Sequence, residues 1–149
     1  MPGVISKRIA DFVERLPLRP GLHVLEIGCG PGVAARAVAD RIGHGRVLAI
    51  DRSARAISIA MAGSAREIAS GRLAFRHCAI EDFRPDPGDA PFDLAFAMRV
   101  GALDGRYPDA GRRALARLKA VLKPEGLLVI DDAEPLRGDA IPDAGASGQ

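Results

Sequence analysis

Residues 23–32 read HVLEIGCGPG. His23 to Ile27 is a short apolar run of the strand type, Gly28, Gly30 and Gly32 make a turn, and VAARAVADRI then follows with helical character. Glycine at such a turn permits φ > 0 and lets a ligand approach the backbone without a Cβ in the way, while the amides at the start of the helix face that ligand. A tight strand-to-helix turn with no ligand would carry the same glycines, so the rest of the chain has to decide between the two.

Outward from this stretch, apolar segments alternate between strand and helix periods. Strands are expected at 22–27, 46–51, 72–78, 92–97 and 126–131, and helices at 4–16, 32–42, 53–69 and 108–122. Ile5, Ile9, Phe12 and Leu16 share one face of the first helix, and Pro17 and Pro20 forbid its continuation. Ser53 is an N-cap candidate, Gly71 a helix stop, and Pro108 suits a first helical turn. Such alternation implies an α/β fold, doubly wound, with a mostly parallel sheet and helices on both faces. Ligands of such sheets bind beyond the C-terminal ends of the strands. Gly28–Gly32, Asp51, residues 79–83 and Ala97–Val100 should therefore converge on one crevice.

The chain of 149 residues is long enough for one domain with its own core. Hydrophobic residues make up 48% and charged residues 27%, which is ordinary for a globular protein, and no run approaches the roughly 20 apolar residues of a membrane span. The charged N-terminus is unlike a secretory signal, and a cytoplasmic location is expected. A net charge of +2 provides no strong field for nucleic acid. Arg106, Arg112, Arg113, Arg117, Lys119 and Lys123 gather in one segment, readable either as a solvated helix face or as a site for RNA or an acidic substrate. Cys29 and Cys78 should end the first and third strands. Two strand spacings, about 9.6 Å, are beyond disulfide reach, so free thiols are expected. No metal-ligand spacing is present.

The ligand can be narrowed by what the turn lacks. A dinucleotide site requires G-x-G-x-x-G or G-x-G-x-x-A. Here the third small position is Val33, and Glu26 stands two residues ahead of the first glycine, where it would repel a polyanion. The P-loop reading fails because no Gly-Lys-Ser/Thr follows. Asp51 lies 23 residues beyond Gly28, close to the offset at which an acid accepts ribose hydroxyls. A free ribose with no phosphate at the turn, and with cationic groups near Glu26, describes S-adenosyl-L-methionine.

VLEIGCGPG at 24–32, an acid closing strand two, FDLAFA at 92–97 and LKPEGLLVID at 122–131 occur in the order and spacing of a known family. Over roughly residues 20–132 the chain resembles the class I S-adenosylmethionine-dependent methyltransferases. The resemblance implies that Glu26 and the backbone of Gly28, Cys29, Gly30 and Gly32 hold the methionine portion, that Asp51 takes the ribose hydroxyls, and that Arg52 lies against adenine. Ala97 and Met98 would face the transferred methyl. The family usually places an acid after strand three for the adenine amino group, and that position is Ala79 here. Ile80 follows it, with Glu81 as a substitute acid.

The family fold continues with a helix and two more strands, whereas 17 residues follow Asp132. A short form is therefore expected, with five strands in order 3-2-1-4-5 and residues 133–149 as a flexible tail. Strand five would form an edge, open to a homodimer or to pairing with the tail. Arg99 and Tyr107, in the loop after strand four, are candidates for holding an acceptor, although nothing in the sequence orients them as a unit. The leading expectation is methyl transfer to a small-molecule acceptor, with nucleic acid and membrane excluded as partners. A module that holds the cofactor without transfer and a dinucleotide-linked oxidoreductase are the competing readings.

Overall fold

In β1 (His23–Ile27) successive side chains enter opposite cores, as the period of two requires. Val24 packs with Phe12, Val38, Val47, Phe96 and Val129 in one cluster, whereas Leu25 and Ile27 join Ile50, Phe83, Phe92, Leu118 and Leu128 in another. β1 is buried on both faces because it lies at the centre of the sheet, between β2 (Arg46–Asp51) and β4 (Phe92–Ala97), parallel to both. The computed structural model describes residues 5–143.

β3 (Leu73–His77) pairs parallel with β2, and β5 (Leu122–Ile130) parallel with β4. The first core is covered by α1 (Lys7–Arg15), α2 (Val33–Ala39) and α3 (Ala54–Ala62), and the second by α5 (Pro108–Val121) together with a 3₁₀ turn at Ile80–Asp82. A doubly wound α/β sheet with helices on both faces is thus what the chain forms.

Three expectations are modified. The sheet has six strands in order 3-2-1-4-5-6, because β6 (Leu136–Arg137) pairs antiparallel with Leu127 and Leu128 of β5. β5 is therefore an interior strand along that stretch, and of the two partners expected for its edge, a second copy or the tail, the tail takes it. Residues beyond β6 are also ordered, with Gly138–Ala140 in a 3₁₀ turn and Ile141 1% exposed in the second core. The remainder of the expected flexible tail, 144–149, lies outside the described residues.

The helix expected over 53–69 is two helices, α3 and α4 (Ala65–Ala69), separated at Gly63 and Ser64. Ser64 is fully buried, and its hydroxyl accepts a hydrogen bond from Arg36 Nη1 at 2.9 Å. A serine that satisfies itself outside the helix ladder favours a break there. Among the described residues no helix is long and apolar enough to cross a membrane. Cys29 and Cys78 are free thiols.

Candidate functional site

The turn after β1 is held from below by β2. The amides of Gly28 and Cys29 both donate to Ile50 O, at 2.9 and 3.0 Å, and Gly30 N donates to Asp51 Oδ2 at 2.9 Å. Gly28, Gly30 and Gly32 all have positive φ, at 71°, 53° and 87°, so the glycines are required by conformation. Gly28 and Gly32 are also required by space. A Cβ on Gly28 would lie 2.6 Å from Val100 Cγ2, and one on Gly32 would press on Arg36, Ala60 and Phe75.

Asp51 closes β2 with both carboxylate oxygens engaged, Oδ2 by Gly30 N and Oδ1 by Ser53 N at 2.8 Å. Each oxygen retains a lone pair for a further donor. The carboxylate thus fixes the turn and still presents acceptor capacity to the crevice.

Glu26 lies on the same face of the sheet, 4% exposed, and its Oε1 has no hydrogen-bond partner. Burial, reinforced by the negative charge of Asp51 and only partly opposed by the Arg36 guanidinium, pushes its carboxyl up to about 8. At neutral pH it is mainly protonated, because a buried unpaired carboxylate is costly. Arg36 bridges the glycine turn to the α3–α4 break, donating through Nη1 to Pro31 O at 3.0 Å as well as to Ser64. Burial and the neighbouring Glu26 and Asp51 push the Cys29 thiol up, which removes it as a nucleophile.

A cavity of about 580 Å³ opens where the C-terminal ends of β1, β2, β3 and β4 meet. Of the residues expected to bind cofactor or acceptor, Gly28, Asp51, Arg52, Ile80, Glu81, Arg99 and Tyr107 line it. The others do not line it, and of these Gly30 is half-buried, with open space where a Cβ would stand. Glu26 and Cys29 are buried beneath the turn, Gly32 is packed against α2 and α3, Ala97 is 0% exposed, and Met98 packs against the first core. Ala79, where the family acid is missing, lines the cavity beside Ile80 and Glu81.

The far wall runs from Val100 to Ala110, through the loop expected to face the acceptor, and of its lining residues Gly101, Ala102 and Ala110 carried no signal in the sequence. Val100 lies over Gly28, and Tyr107 packs on Gly101 so closely that a Cβ there would be 2.6 Å from the ring. Arg106 Nε donates to both Asp104 oxygens, at 3.0 and 2.8 Å, and its Nη2 to Arg99 O at 3.2 Å. Among the described residues no group of three or more His, Cys, Asp or Glu is placed to hold a metal.

Comparison with known proteins agrees with this arrangement. Residues 24–126 match the family model described as a methyltransferase domain. Trans-aconitate 2-methyltransferase of Paracidovorax citrulli is 36% identical over 124 residues, covering 80% of this chain and 42% of the relative. Protein-L-isoaspartate O-methyltransferase of Methylorubrum populi is 40% identical over 118 residues, covering 79% and 51%. Among solved structures, the [4+2]-cyclase SpnF superimposes with a TM-score of 0.65 at 31% identity, covering 82% of this chain and 43% of that one. The chain spans about half the length of the curated relatives it matches. With the matched region running from β1 into β5 and taking in both the glycine turn and Asp51, the chain belongs to the methyltransferase domain family.

Proposed function

We propose that the chain binds S-adenosyl-L-methionine in the 580 Å³ cavity and transfers its methyl group to a small-molecule acceptor. The observation that carries this reading is Glu26, a buried carboxyl with an unpartnered oxygen directly beneath a glycine turn. That atom requires a donor, and a cationic ammonium supplies both the hydrogen bond and the charge that would return Glu26 to its ionised form.

The positive-φ glycines leave the turn open to close approach by the methionine portion. Asp51 accepts the ribose hydroxyls on its remaining lone pairs while its other bonds keep the turn in place. Ile80, 3% exposed, offers an apolar wall to adenine, with Glu81 beside it as acceptor for the amino group. Arg52 covers the outer side. When bound, the cofactor would supply an electrophilic methyl on a sulfonium, whose thioether is the leaving group when the acceptor takes the methyl. The contribution of the chain is to align the acceptor with that carbon and to exclude water, which can lower a barrier substantially without any covalent step. Val100, packed on Gly28, and Tyr107, packed on Gly101, bring the loop after β4 over the reacting region. Arg99 and Tyr107 are there to hold the acceptor.

The relative named for trans-aconitate provides the first small-molecule acceptor to try. Incubation with methyl-labelled cofactor and trans-aconitate, or a bacterial metabolite extract, should give a labelled small product that is lost in Asp51→Ala. A second reading, a module that holds the cofactor without transferring it, is not favoured, since the relatives are named as methyltransferases. Retained cofactor binding with no labelled product from any pool would favour that reading.

A further inference from the structure

The cavity is divided electrostatically. Its wall from β2 and β3 carries the acids Asp51 and Glu81 beside Arg52, while after β4 the residues that line it include Arg99 and Arg106 and, among the described residues, no acid. Of those two cations only one is uncommitted. Arg106 is neutralised by Asp104 through two short bonds, whereas the Arg99 guanidinium has neither a hydrogen bond nor an ion pair among the described residues.

The backbone that presents Arg99 is fixed from both sides. Arg99 has φ 55°, a left-handed conformation uncommon for a residue with a long side chain. Its amide donates to Asp131 Oδ1 at 2.8 Å, its carbonyl accepts from Arg106 Nη2 at 3.2 Å, and Asp131 is itself anchored by its amide on Ala97 O at 3.0 Å. Strained backbone of this kind persists where its surroundings over-determine it. Here the surroundings hold a free guanidinium at the mouth of the acceptor side.

Resting on the reading of this cavity as a site for cofactor and acceptor, we infer that Arg99 anchors an oxyanionic group, carboxylate or phosphate, of the methyl acceptor. The planar fork of arginine matches both groups in bidentate geometry, which a lysine cannot reproduce. Arg106 acts through the Arg99 carbonyl as a positioning residue. The two walls then sort the two ligands by sign, the cationic cofactor toward Asp51 and Glu81 and the anionic acceptor toward Arg99.

The test is calorimetry on the whole chain loaded with S-adenosylhomocysteine, with three probes, tricarballylate, glycerol 3-phosphate and the uncharged triamide of tricarballylic acid. Arg99→Asn removes the cation and keeps a residue that tolerates left-handed φ, and Arg99→Lys keeps the charge without the fork. At least one anion should bind the wild type and the triamide should not. Arg99→Asn should weaken that anion by about 10-fold or more, as loss of a charged hydrogen bond implies, with affinity for S-adenosylhomocysteine unchanged, and Arg99→Lys should recover part of the loss. Which anion binds distinguishes carboxylate from phosphate. Equal binding to wild type and Arg99→Asn, equal binding of the triamide, or no binding of either anion would overturn the assignment. If S-adenosylhomocysteine itself does not bind, the cofactor reading fails and this one with it.

Discussion

Glu26 sits where two requirements conflict. The sheet interior demands neutrality, and a cationic ligand demands charge. With the carboxyl pushed up to about 8 from an ordinary 4.5, the ligand-free fold holds a proton over that interval that the unfolded chain releases. Stability therefore falls as pH rises from about 4.5 to about 8, by up to roughly 1.4 kcal/mol per pH unit where one proton separates the states. Chemical denaturation across pH should show this decline, and Glu26→Gln should flatten it. Cofactor binding has the opposite slope, since the cation pairs with the ionised form. Affinity for S-adenosyl-L-methionine should rise between pH 6 and about 8 with uptake of a proton by the buffer, and Glu26→Gln should bind more weakly with little pH dependence. The position of this acid ahead of the glycine turn was legible in the sequence. Its protonation was not, because that depends on Asp51 and Arg36, which folding brings in from separate elements.

At the level of elements, the glycine turn and the loop after β4 form one unit, although 70 residues lie between the end of β1 at Ile27 and the start of that loop at Met98. Gly28→Ala meets both a positive φ and Val100 Cγ2, and a loss of about 1–3 kcal/mol in unfolding free energy is expected. In Gly28→Ala/Val100→Ala the steric part should be relieved and the conformational part should remain, which a double-mutant cycle by urea denaturation would separate. The five principal strands were readable because each is a short apolar run bounded by turn residues. The division of 53–69 into α3 and α4 was not, since the helical pattern of AREIA continues and the partner that favours the break at Ser64 is Arg36, 28 residues earlier. Arg99 was legible in the sequence as a candidate for holding an acceptor, but nothing there fixed its conformation. Its left-handed backbone and its anchor on Asp131, 32 residues away, emerge only when β4 and β5 lie side by side.

For the whole molecule, the segment after β5 completes the second core. Leu136 packs against it, Ile141 is buried within it, and Lys119 Nζ on α5 donates to Ile141 O at 2.6 Å. Small polar residues and two prolines concealed this, because the ordering comes from the surface that β5 and α5 offer rather than from any propensity of the segment. Ile141→Ala should lower stability by about 2–4 kcal/mol, as for other buried isoleucines, whereas a loose tail would show no change in the denaturation midpoint. The central claim concerns the ligand for which this architecture is shaped. It is tested most directly by calorimetric titration of the chain with S-adenosylhomocysteine and, separately, NAD, for wild type and Asp51→Ala. The account predicts one bound S-adenosylhomocysteine per chain, weakened by roughly 10-fold or more in Asp51→Ala, and no NAD binding. Binding of NAD with no response to S-adenosylhomocysteine would contradict it.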